Sequence, residues 1–75
     1  AVSYARLLKN TGKPYMSGAD VKAVQTALKT AGFDPKGADG SFGPDTEAAV
    51  KAYQKAKGLE TDGIVGPKTW AALFG

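Results

Sequence analysis

Apolar residues recur at helical spacing in three stretches of this chain. Val21, Val24, Leu28 and Ala31 mark the inner face of a first helix starting near Gly18 or Ala19; Ala49, Val50 and Tyr53 mark a second, and Trp70, Leu73 and Phe74 a third. Punctuation at the ends agrees. Ser17-Gly18-Ala19-Asp20 has the spacing of a capping box with Ser17 as the cap, and Met16 and Val21 then occupy the staple positions. Gly32 and Gly58 stand where a left-handed residue stops a helix, and Phe33 is placed to fold back after the first. Pro44 and Pro67 each follow a glycine and open a helix-forming run, where proline's missing N–H costs nothing. The stretch Asp34 to Ser41 is dense in turn formers and lacks period-two alternation, so it reads as a loop, with Phe42 as the plug that pins it to the core.

A phrase of the chain occurs twice. Asp39-Gly40-Ser41-Phe42-Gly43-Pro44-Asp45-Thr46 returns 23 residues later as Asp62-Gly63-Ile64-Val65-Gly66-Pro67-Lys68-Thr69. A second echo, Val21 to Ala27 against Val50 to Ala56, has an offset of 29, so the connection after the first helix is six residues longer than its counterpart. The expected fold is all-α: a compact three-helix bundle built from a duplicated helix and Asp-Gly-loop unit. An irregular N-terminal arm, residues 1–17, precedes a domain over 18–75 and lays Leu7, Leu8, Tyr15 and Met16 across the bundle. Thr46 and Thr69 fall at the third helical position, their hydroxyls directed at the free donors of the first turn, and Val65 and Trp70 take staple positions. Gln25 and Gln54 each follow a core valine by four residues. A partly buried amide there needs partners, and backbone groups of the Asp-Gly loops are nearest.

Composition narrows the chemistry. Seventy-five residues make one domain with little room for a deep cleft, and 43% hydrophobic content with 23% charge suits a folded globular protein. No apolar run reaches the roughly 18 residues that span a bilayer, and the amino terminus lacks a signal pattern, so an export signal would belong to a longer parent or be absent. Without cysteine or histidine there is no disulfide, thiolate metal site or His-assisted catalysis. Asp39 and Asp62 are the only equivalent carboxylate pair, yet both sit in turns that use aspartate for local bonding; no enzyme and no cofactor is expected. Aligning Gly40 or Gly63 with the central glycine of an EF-hand puts Pro35 or Gly58 where the first acid belongs, so no metal is expected either. The net charge of +3 favours anionic polymers without choosing among them. Lys51, Lys55 and Lys57 alternate with Glu47 and Glu60, and Arg6 is the only arginine, which makes a solvated face a better account than nucleic-acid binding.

The ordered run from Gly18 to Leu28, then Asp39-Gly40-x-Phe42-Gly43-Pro44-x-Thr46, Tyr53-Gln54, Gly58-Leu59 and Asp62-Gly63-x-Val65-Gly66-Pro67-x-Thr69-Trp70, resembles the peptidoglycan-binding domain of the three-helix type. The likeness covers about Gly18 to Leu73. The arm, with Arg6-Leu7-Leu8-Lys9 and Pro14-Tyr15-Met16, is similar to the segment preceding this module in amidase-type wall lysins of Bacillus and their phages. The resemblance implies a monomeric, non-catalytic module that holds a tethered hydrolase on peptidoglycan outside the cytoplasm, with neither nucleic acid nor membrane as partner. Contacts with glycan or stem peptide are expected at Asp39, Ser41 and Gln54, with Phe42 and Tyr53 as apolar surface, and at Asp62, Ile64 and Trp70 in the second half. A helical nucleic-acid or protein-interaction module is the competing class.

Overall fold

In the computed structural model, which describes Tyr4 and residues 6–74, the chain forms three helices: α1 (Ala19–Thr30), α2 (Pro44–Ala56) and α3 (Pro67–Phe74). Helix α1 packs against both of the others. The inner faces are those the periodicity marks. Val21, Val24, Leu28, Ala49, Val50, Tyr53 and Trp70 are buried in one cluster, and Leu73 and Phe74 pack against it. Ala31 departs from the pattern: it is the exposed C-cap of α1.

Helices α1 and α2 end alike. The Phe33 N–H donates to Leu28 O (2.8 Å) and Gly32 N–H to Lys29 O (3.1 Å); Leu59 N–H donates to Gln54 O (2.8 Å) and Gly58 N–H to Lys55 O (3.3 Å). Both are Schellman motifs, with Gly32 at φ 95° and Gly58 at φ 70°. Of the six extra residues in the first unit, three extend α1 beyond Gln25 and three lengthen the loop after its glycine.

The start of α1 corrects the capping-box expectation. Gly18 is the N-cap and Ser17 makes no side-chain cap. The Asp20 carboxylate instead takes the Arg6 fork, Nε to Oδ2 at 2.8 Å and Nη2 to Oδ1 at 3.1 Å, while Nη2 also donates to Ser17 O at 2.7 Å. A bidentate charged pair outcompetes a backbone N–H for that carboxylate, and it holds Asp20 below the usual carboxylate range.

Two isolated antiparallel bridges tie the arm to the loops; no strand forms among the described residues. Leu8 pairs with Val65 through reciprocal bonds of 3.2 and 2.8 Å, and Ser17 pairs with Ser41 through Gly18 N–H to Gly40 O (3.1 Å) and Phe42 N–H to Met16 O (2.8 Å). One stretch of arm therefore pins each Asp-Gly loop. Leu8 is more than a cover: it is wholly buried in the core with Phe42 and Val65, a burial that contributes about 1.5–3 kcal/mol. Its neighbour Leu7 faces outward and is half exposed, as side-chain alternation requires.

Candidate functional site

Each Asp-Gly loop closes around a glutamine. Gln25 Oε1 accepts the Gly40 N–H at 2.8 Å, while Nε2 lies 3.1 Å from Asp39 Oδ1, 2.9 Å from Ser41 O and 2.9 Å from Thr46 Oγ1. Gln54 repeats this: Oε1 accepts Gly63 N–H at 2.9 Å, and Nε2 meets Asp62 Oδ1 at 2.9 Å, Ile64 O at 2.9 Å and Thr69 Oγ1 at 3.2 Å. The orientation is forced, because a backbone N–H only donates and so must face the amide oxygen. Two amide hydrogens serve three acceptors, so one is shared. This is the clamp the spacing anticipates, but the threonines differ from expectation. Thr46 and Thr69 are buried, and their hydroxyls accept from the glutamine amide.

The aspartates complete the turns. Asp39 Oδ1 accepts Ser41 N–H and Asp62 Oδ1 accepts Ile64 N–H, each at 2.9 Å. These backbone bonds, and then the glutamine amides, hold both carboxyls below their ordinary range. Gly40 and Gly63 sit between them at φ 83° and 74°, where a side chain is strained. At Gly63 a Cβ would also come within 3.0 Å of Lys51 Cε and 3.1 Å of Glu47 Cγ.

Outside each clamp, between the loop and the helix that follows, lies a groove. The groove of the second half encloses about 470 Å³ and is lined by Leu7, Leu59, Ile64 and Pro67 together with Glu60 and Lys68. That of the first half encloses about 170 Å³ beside Tyr15, Lys36, Asp39, Ser41 and Asp45. Shifted by 23 residues, the two share one register: Asp39, Ser41, Gly43, Pro44, Asp45 and Thr46 against Asp62, Ile64, Gly66, Pro67, Lys68 and Thr69.

The residues expected at a ligand contact divide between surface and core. Asp39 and Ser41 line the smaller groove; Asp62, Ile64 and the edge of Gln54 line the larger. Gln54 is 1% exposed, with both ends of its amide engaged in the clamp. Phe42 and Tyr53, expected as apolar surface, are interior: Phe42 has no exposure, and Phe33 packs edge-on against the Tyr53 ring at 5.5 Å. Trp70 is buried as a staple, with Tyr4 at 5.9 Å and Phe74 at 4.5 Å from its ring. Large aromatic side chains on the inner helix faces and loop ends fill the core, because their burial outweighs any benefit of exposure. Sequence reading passed over Leu7, Leu59, Glu60 and Lys68. The register of the repeat signals Lys68 opposite Asp45, but nothing in the sequence places Leu7 beside Gly66, where a Cβ would lie 3.3 Å from Leu7 Cδ2.

The family model described as "Putative peptidoglycan binding domain" matches residues 17–73, which include both clamps and every groove residue except Leu7 and Tyr15 of the arm. The chain belongs to this peptidoglycan-binding family. It is 54% identical over 63 residues to a probable N-acetylmuramoyl-L-alanine amidase of Bacillus licheniformis, covering 81% of this chain and 18% of that protein. It is 53% identical over 70 residues to the N-acetylmuramoyl-L-alanine amidase CwlL of the same organism, covering 87% and 19%. The crystal structure of the SleB N-terminal domain superposes with a TM-score of 0.84 at 35% identity, covering 92% of this chain and 89% of that one. The chain spans about a fifth of the length of these amidases, so it corresponds to a small binding module within proteins of that kind.

Proposed function

We propose that this peptidoglycan-binding module holds a wall hydrolase, an N-acetylmuramoyl-L-alanine amidase in its parent chain, against peptidoglycan outside the cytoplasm, and that it does so as a monomer. The observation that carries the reading is the family match across residues 17–73 together with the amidases in which the same module recurs. The chemistry of the grooves supports binding over catalysis. Asp39 and Asp62 are committed to the turn and the glutamine clamp through Oδ1, and the sequence offers no histidine or cysteine. The contact surface consists of Asp39 and Ser41 in the first half and Asp62 and Ile64 in the second, presented by loops that the glutamine clamps hold rigid. Each contact is shallow and weak. Tethering turns it into a high local concentration of the hydrolase on a repeating polymer.

Cosedimentation of the 75-residue chain with purified peptidoglycan, with duplex DNA in parallel, tests the reading. The chain is expected to pellet with peptidoglycan, to leave DNA unbound and to cause no loss of turbidity in a wall suspension. Retention by DNA alone, falling steeply with salt, would overturn it.

A further inference from the structure

The two grooves share a register but not a chemistry, and the difference points to a ligand. In the second half the walls are aliphatic: Leu7, half exposed, lines the groove together with Ile64 and Leu59. No aromatic side chain lines this groove, whereas Tyr15 lines its counterpart. Sugar rings pack their C–H faces on flat aromatic surfaces and need many neutral hydrogen-bonding groups around them. Here the polar backbone is already engaged, since Ile64 O and Gly63 N–H are both bonded to Gln54. What the groove offers instead is charge of both signs. Lys68, in the first turn of α3, faces outward with Glu60 and Asp62, and the only ion pair among the described residues is Arg6 with Asp20. Both bonds to the exposed Asp62 fall on Oδ1.

We infer that this larger groove takes the stem peptide of peptidoglycan and not its sugar strand, an assignment that rests on the function proposed above. A stem peptide has the matching parts. Its alanine methyls fit the aliphatic walls, a carboxylate meets the Lys68 ammonium at the positive end of α3, and the free amine of its diamino acid meets Asp62 and Glu60. A neutral chain of acetylated glucosamine leaves all three charges unanswered. The groove also gives the arm a role beyond packing, because the Leu8 to Val65 bridge is what sets Leu7 as one wall.

Amide chemical-shift titration of the 75-residue chain tests this. The probes are a soluble stem tetrapeptide containing diaminopimelate and, separately, a β-1,4-linked N-acetylglucosamine tetramer. The tetrapeptide is expected to shift Glu60, Asp62, Ile64 and Lys68 and leave Asp39, Ser41 and Asp45 in place, while the sugar leaves the first set unmoved. Lys68→Glu should weaken the tetrapeptide about tenfold. Ile64→Ser, which copies the first-half residue, should weaken it several-fold. Shifts of the second groove by the sugar alone overturn the assignment, as do tetrapeptide shifts confined to the first groove. A chain that pellets with intact sacculi yet shows no tetrapeptide shift at millimolar concentration also overturns it and leaves the proposed function standing. Failure to pellet with sacculi overturns both.

Discussion

The Asp39 loop and the Asp62 loop have the same interior. In each, a glutamine oxygen holds a glycine N–H at 2.8 or 2.9 Å, its nitrogen reaches an aspartate, a carbonyl and a buried threonine, and the aspartate caps the N–H two residues on. Their exteriors have diverged. Ser41 is answered by Ile64, Asp45 by Lys68, and Tyr15 beside the first groove has Leu7 as its counterpart beside the second. Buried polar groups must all be satisfied together, so one change inside the clamp strands several partners. A groove residue facing water carries no such debt, which is why duplication kept the clamp and left the rims to differ.

The severest test of this equivalence is removal of the glutamines. Gln25→Ala and Gln54→Ala each leave a buried glycine N–H and threonine without partners, and each is expected to cost about 2–4 kcal/mol in urea unfolding followed by Trp70 fluorescence. Matched losses sustain the comparison; a twofold disparity would show that one loop is held by something other than its clamp. Alanine at the two glycines should separate the halves. Both carry a left-handed backbone, but only at Gly63 does a Cβ press on Lys51 and Glu47, so Gly63→Ala should cost about 1–2 kcal/mol and exceed Gly40→Ala, read from the same melts. Valine in place of threonine keeps the shape and removes one acceptor, for a loss of about 1 kcal/mol. Thr46→Val should be the costlier, because its bond is 2.9 Å against 3.2 Å for Thr69.

Acid sensitivity gives the smallest effect. Asp39 and Asp62 have folded-state pKa values below their unfolded ones, chiefly through the Ser41 and Ile64 N–H groups. Their stabilisation is therefore complete above the unfolded aspartate value of about 3.9 and is lost as pH falls through the folded values. Asn keeps the turn acceptor without the charge. Asp39→Asn and Asp62→Asn should each lower melting slightly near pH 7 and flatten the acid side of a thermal-stability profile by a similar share, so that variant and parent converge at low pH; an unchanged acid limb in either would break the symmetry.

Much of the arrangement was legible along the chain because it rests on local rules. Helix faces, the proline starts, the glycine stops before Phe33 and Leu59, and the place of both glutamines follow from spacing alone. Ser17 misled, since a capping box is judged over four residues and Arg6, fourteen positions before Asp20, claimed the carboxylate. Phe42, Tyr53 and Trp70 were each legible as core residues, as plug, inner helix face and staple, and their burial excludes only the second use of the same rings as ligand surface.

The sequence by itself determined the repeated unit: three helices, two Asp-Gly turns, and a glutamine aimed at each, all set by contacts within a few turns of the chain. Tertiary structure decided what faces outward. The arm pairs Leu8 with Val65, which buries one leucine and leaves the next as a wall of the larger groove, and the core takes up the rings. Those outcomes depend on segments more than fifty residues apart meeting in space, and local propensity carries no information about such a meeting.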